Sequence, residues 1–203
     1  MTNIREKKKE QTRKKIQAMS LQLFKMHGYE KTTMEKIASE AEIGLGTLYN
    51  YFPSKSALFF SIIERNIEAF MSELEEIINS EMTLLESLRE FFNVYLKSFT
   101  TYGKNIWRDL FREIMFRDHM GYEKIQEIDQ NFIKELYKLL YTRIVEESVN
   151  KEEKLTTASK TLYSLLGYHI IYFVSDISVS LQEMIESLME QAKLIIEGFI
   201  PVI

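Results

Sequence analysis
Apolar residues recur along this chain at spacings of three and four, the period of amphipathic helices. Ile16, Met19, Ser20, Leu23 and Phe24 mark a first helix from about Gln11, ended by Gly28 at the favoured glycine C-cap. Residues 1–10 lack such a period and are expected to form a frayed arm. Thr32 followed by Glu35 has the form of a capping box, which predicts a second helix from near Thr33 with Met34, Ile37, Ala38 and Ala41 on one face. The pattern breaks at Glu42, Ile43 and Gly44 and resumes at Leu45, Leu48 and Phe52. This third helix, roughly Leu45 to Tyr51, is too short to stand alone and must be held by packing. Ser54 is a good N-cap for a fourth helix running through Phe59, Ile62, Ile63, Asn66, Phe70, Leu74 and Ile77 to near Asn79. At 1.5 Å per residue it would be about 37 Å long, a rigid lever. Further helices are predicted at about Leu84–Thr101, Asn105–Arg117, Tyr122–Glu147, Lys154–Ile177 and Leu181–Phe199. Tyr102-Gly103, His119-Met120-Gly121 and Val149-Asn150 form the breaks.

Composition agrees with an all-α fold. The 203 residues include 2 prolines and 7 glycines, while Leu, Ile, Glu, Lys and Met are abundant. With no cysteine there can be no disulfide and no thiolate zinc site. No apolar run has membrane-spanning length, so a cytoplasmic location without membrane contact is expected. The net charge of -4 conceals an asymmetry: residues 1–60 hold 11 bases and 6 acids, leaving 15 bases and 24 acids in the remainder. A basic head on an acidic body suits a chain that meets nucleic acid at one end. Arg5, Lys7, Lys8, Lys9, Arg13, Lys14 and Lys15 would together supply salt-dependent affinity.

The outer face of the third helix carries Gly46, Thr47, Asn50 and Tyr51, with no carboxylate to repel phosphate. Lys55, in the first turn of the fourth helix, opposes the helix dipole, which argues for an anion beside it. The segment IASEAEIGLGTLYNYFPSK resembles the signature of the TetR/AcrR family of bacterial transcriptional regulators. The resemblance rests on Ile37-Ala38, Ala41, Gly46-Thr47-Leu48-Tyr49, Tyr51-Phe52 and Lys55. Two positions depart from the family pattern: Glu42 replaces a turn glycine and Gly44 replaces a capping serine. The resemblance implies a three-helix helix-turn-helix head at 1–54 and a helical ligand-binding and dimerisation body at 55–203. It implies phosphate contacts from Thr33, Thr47, Tyr49, Tyr51 and Lys55, with Leu45, Gly46 and Thr47 nearest the base edges. The partners it implies are double-stranded operator DNA, a second copy of the chain and a small-molecule inducer.

In the body, Phe91, Phe92, Tyr95, Phe99, Trp107, Phe111, Met115, Phe116, Phe132, Tyr137 and Tyr141 exceed what a minimal core needs. By resemblance to the family's inducer cavity, Phe92, Tyr95, Phe99, Trp107, Phe111, Met115, Tyr137, Tyr141 and His169 are candidate ligand contacts. Arg108, Arg112, Glu113 and Asp176 are candidate polar partners. The last two helices each carry a wide apolar face, the first including Leu162, Leu166, Ile170 and Phe173. The second carries Leu181, Ile185, Leu188, Ala192, Ile195 and Ile196. Both faces would serve either as core or as a four-helix dimer interface, which the resemblance favours. Nucleophile elbow, Walker loop, dinucleotide loop and His-Glu-x-x-His are all missing, and the three histidines are scattered. No enzymatic activity, cofactor or metal is expected. The function so read is a repressor released from a palindromic operator by a small, largely apolar or aromatic ligand. Two alternatives are a DNA-binding regulator governed by a protein partner, and a helical ligand-binding protein or enzyme that does not bind DNA.

Overall fold
A computed structural model describes residues 4–64, 67–117, 119–144 and 151–199; for residues 67–69, 116, 117, 119, 120 and 199 it describes the backbone only. Among these residues the chain is all-α. Its helices are α1 (Ile4–His27), α2 (Met34–Glu40), α3 (Leu45–Tyr51), α4 (Lys55–Glu64) and α5 (Ile67–Asn79), then α6 (Leu84–Tyr102), α7 (Lys104–Arg117), α8 (His119–Arg143), α9 (Lys151–Ser175) and α10 (Leu181–Phe199). Among the described residues no helix is long and apolar enough to cross a membrane.

The contacts form two compact units: Met1–Ile67 with Asn105–Lys124, and Glu68–Lys104 with Ile125–Ile203. The sequence-based division at 54/55 falls inside the first. In that unit α1 starts well before the expected Gln11, so residues 4–10 are helix rather than a frayed arm. Lys, Arg, Glu and Gln are good helix formers, and Glu10 pairs with Lys14 one turn on. Gly28 ends α1 at φ 85°, with its amide donating to Phe24 O at 2.9 Å. The cap of α2 is Thr33, one residue later than the predicted Thr32: its hydroxyl accepts from Lys36 N at 3.2 Å. Thr32 is buried and donates to Gly28 O at 2.8 Å. Phe24, Tyr29 and Phe59 pack at ring distances of 5.1 to 5.9 Å. Trp107 of α7 closes on Phe59 edge-on at 5.5 Å.

In the second unit two basic side chains close helix ends. The Arg143 guanidinium donates to Ile77 O, Ile78 O and Ser80 O, at 2.8, 3.1 and 2.8 Å, and to Ser87 Oγ at 3.1 Å. One side chain of α8 thereby satisfies the orphan carbonyls that end α5. Lys104 does likewise for α9, donating to Asp176 O at 2.8 Å and lying over the Phe173 ring at 3.9 Å. Thr83 with Glu86 and Ser180 with Glu183 form capping boxes at the starts of α6 and α10. Helices α9 and α10 pack along their apolar faces. The lever predicted over 55–79 corresponds to α4 and α5; its residues 65 and 66, like the predicted break at Val149-Asn150, lie outside the described residues.

Candidate nucleic-acid and ligand sites
Helix α3 is anchored by one fully buried side chain, Leu48, and by Phe52 just past its end. Burying a leucine contributes about 1.5–3 kcal/mol, enough to hold two turns in place. The remainder faces outward: Leu45, Gly46, Thr47, Tyr49 and Asn50 are exposed and Tyr51 is half-buried. Thr33, at the start of α2, is exposed as well. No acidic residue lies in the first turn of α3, and its N-cap Gly44 offers no side-chain hydrogen bond. Its first amides are thus left to an outside acceptor. A Cβ added at Gly46 would meet nothing within 4 Å, so packing within the chain does not explain that glycine.

The turn before α3 carries the strain expected from the departure at Glu42, whose φ is 56°. Its exposed carboxylate accepts from Lys15 Nζ at 2.8 Å, a hydrogen bond that holds the carboxyl below its ordinary range. Lys15 is therefore occupied, Arg13 lies over the Phe52 ring at 4.8 Å, and Lys14 pairs with Glu10. Lys7, Lys8 and Lys9 project from the exposed start of α1.

Lys55 corrects an expectation: its anion is internal. Its Nζ lies 3.3 Å from Glu113 Oε2 of α7, donates to Tyr29 O at 3.0 Å, and sits over the Tyr29 ring at 4.2 Å. The Tyr29 hydroxyl donates to the other Glu113 oxygen at 3.2 Å, and the Lys55 side chain is only 14% exposed. The charge that opposes the α4 dipole is thus balanced by a carboxylate within the same unit. Arg112 pairs with Glu30 at 3.5 Å and Asp109 accepts from Glu30 N at 3.4 Å. Helix α7 is therefore clasped to the head along its length.

The aromatic candidates do not form one set. Trp107, Phe111 and Met115 belong to the first unit, where Trp107 packs on Phe59 and Phe111, and Met115 is exposed. In the second unit Phe92 and Phe99 are buried core, while Tyr137 stacks near an exposed Tyr141 at 6.1 Å. The side chain of Phe116 lies outside the described residues. His169 is buried between α9 and α10 with its Nε2 3.3 Å from Gln191 Nε2; burial lowers its pKa and favours the neutral ring. Of the polar candidates, Arg112 and Glu113 are committed to the pairs above, Asp176 caps the turn to Ser178, and Arg108 bonds Asn105.

Tyr95 alone among the candidates joins a group with polar chemistry, and its partners escaped the sequence reading. It meets Phe132 at 4.4 Å and Phe70 at 6.3 Å, while Tyr163 meets Phe132 at 5.7 Å. Desolvation raises the Asp129 carboxyl above its ordinary range, with the neighbouring Tyr163 acting in the opposite sense. Burial also raises both phenols, Tyr95 and Tyr163. A signal existed: Ile125, Asp129, Phe132, Leu136 and Leu139 follow the helical stripe, so an acid occupies an apolar position.

The expected dimer residues are consumed within one chain. Leu162, Leu166, Ile170, Phe173, Ile185, Leu188, Ala192 and Ile196 are all buried, and Leu181 and Ile195 are half-buried. The eight buried side chains have little surface to offer a partner, whereas Leu181 and Ile195 keep part of theirs. Among the described residues the large apolar groups that these helices expose are Tyr168, Ile171, Tyr172 and Leu194.

Residues 16–62 match the family model described as bacterial regulatory proteins, tetR family. An HTH-type transcriptional regulator of Staphylococcus aureus is 37% identical over 67 residues, 33% of this chain and 36% of that protein. The chain thus spans a little over a third of the curated relative it matches. Among solved structures, a transcriptional regulator of Aquifex aeolicus is 28% identical with a TM-score of 0.57, covering 91% of this chain and 99% of that one. The Thermus thermophilus FadR, a TetR-family repressor in complex with lauroyl-CoA, has a TM-score of 0.73 at 19% identity, covering 94% and 96%. That likeness concerns the fold.

Proposed function
We propose that this chain, which belongs to the TetR/AcrR family of helix-turn-helix regulators, binds operator DNA as a homodimer and represses transcription until a small ligand releases it. The observation that carries the reading is the outward face of α3: Leu45, Gly46, Thr47, Tyr49 and Asn50 exposed, free of carboxylates, on a helix held from behind by Leu48. In the major groove Thr33, Thr47, Tyr49 and Tyr51 would take phosphates, and Gly46 would allow close backbone approach. Leu45 offers only apolar contact, so much of the specificity would come from DNA shape. Lys55 would act from behind, by fixing the start of α4. The partner subunit would cover Tyr168, Ile171, Tyr172 and Leu194. A largely apolar or aromatic ligand held by the body would shift the population toward dimers with wrongly spaced heads.

The test is fluorescence anisotropy with the DNA flanking this protein's own gene, across a series of salt concentrations. A steep salt slope and a two-fold symmetric footprint are expected. Equal, weak binding to every fragment overturns the reading.

A further inference from the structure
Arg13 of α1 differs from the two bases that follow it in the chain. Lys14 pairs with Glu10 and Lys15 with Glu42, but among the described residues Arg13 meets no carboxylate and no hydrogen-bond acceptor. Its partner is a ring: the guanidinium carbon lies over Phe52, 4.8 Å from the centroid. Phe52 is 2% exposed and ends α3, with its amide donating to Leu48 O at 2.9 Å. That ring is thus fixed to the helix whose outer face is open. The Tyr51 ring stands 6.3 Å from it. All of these residues lie in the first compact unit.

Arg13 is half-buried, and a guanidinium drawn partly from water ordinarily gives its N–H groups to a carboxylate or carbonyl. A ring face holds the planar group flat but takes none of those hydrogen bonds. The donors remain at its edge. Stacking also fixes the long side chain beforehand, so an acceptor meets a preset fork rather than a mobile tether. The oxygens of a phosphate match such a fork in pairs.

We propose that Arg13, held flat on Phe52, grips the DNA backbone beside the groove that α3 enters, and that Phe52 is its positioning residue. This rests on the reading that the head binds DNA, and it adds a phosphate contact from α1 to those of α2 and α3. Tyr51, next to the same ring, brings a hydroxyl to the same stretch of backbone. Within the basic run that opens the chain, the contact is specific to one residue.

The experiment is fluorescence anisotropy of the full chain with the DNA flanking its own gene and with an unrelated duplex of equal length, each across a salt series. Arg13→Gln should weaken binding to both duplexes about tenfold and make the salt slope shallower by about one for each bound subunit. Arg13→Lys keeps the charge but not the fork, so it should restore the slope and only part of the affinity. Lys14→Gln removes the same charge one residue along and should leave the slope as it is. Phe52→Leu keeps an apolar side chain without the ring face, and in that background Arg13→Gln should cost less. A slope that Arg13→Gln does not change, whether or not urea unfolding shows lost stability, overturns the proposal, and so does an equal fall for Lys14→Gln. Steep wild-type binding that is indifferent to Arg13→Gln removes only this contact. A wild type that binds neither duplex removes the regulator as well.

Discussion

The head and the body dispose of their polar groups in opposite ways. In the first unit the buried Lys55 charge is matched internally: Lys55 has Glu113 and the Tyr29 carbonyl, and Glu113 also has the Tyr29 hydroxyl. The polar groups left open lie outside, on α3 and before it. In the second unit the helix ends are closed by Arg143 and Lys104, whereas Asp129 lies half-buried on α8 with no basic partner among the described residues. Unsatisfied groups cost free energy and persist where something external completes them. On that ground the proposed DNA partner would be met by the open outer face of α3.

Lys55→Ala breaks the contrast most severely. It strands the Glu113 carboxylate, 26% exposed, against Tyr29, and should cost about 2–3 kcal/mol by urea unfolding. The salt slope of DNA binding should not change, because the lysine is spent internally. A slope lowered by about one would mean that Lys55 leaves Glu113 for a phosphate.

Asp129→Asn tests the opposite case. Removing a half-buried charge that has no basic partner among the described residues should stabilise the body by about 1 kcal/mol at neutral pH. The folded carboxyl is raised, so its contribution is full below the unfolded value of about 3.9 and is lost as pH rises through the folded one. Wild type should therefore lose ground to Asp129→Asn as pH climbs from about 4 toward neutrality. A gap that is independent of pH would place the carboxyl in ordinary solvent.

Gly46→Ala probes the outer face of the head. An added Cβ meets nothing within 4 Å, so the gain in helix propensity should raise stability by about 0.5–1 kcal/mol. Operator affinity should fall nonetheless, because the methyl stands where backbone must approach DNA. Raised stability with unchanged affinity would show that the glycine faces nothing.

These contrasts also mark what was legible in advance. The head could be read almost residue by residue, because its caps, turn and α3 pattern are local: Leu45–Tyr51 and the strained Glu42 stand where spacing put them. The start of α1 was missed because a run of lysines lacks apolar period yet has high helix propensity. The Lys55–Glu113 pair spans 58 positions, and no local rule pairs an α4 lysine with an α7 acid. The apolar faces of α9 and α10 were real, but periodicity cannot say whether a face meets its own chain or a copy. Asp129 carries a local signal, an acid set at an apolar position of the α8 stripe, but periodicity alone does not say whether such an acid is drawn from water.

Glu42→Gly has the smallest effect on stability and acts at the edge of the head's open face. Glycine relieves a left-handed conformation worth about 1 kcal/mol. It also loses the exposed Lys15 pair, which water largely screens, and adds chain entropy to the unfolded state. These terms nearly cancel, so the melting temperature should move little. DNA affinity should move more. The substitution removes a carboxylate that is 82% exposed beside α3 and releases Lys15 to the solvent side of α1. Both changes add positive potential where phosphate would lie, so binding should tighten and its salt slope should steepen by up to about one. If affinity does not change while stability rises by a full kilocalorie, the Lys15–Glu42 pair faces away from DNA, and the open face of the head is confined to α3 and Thr33.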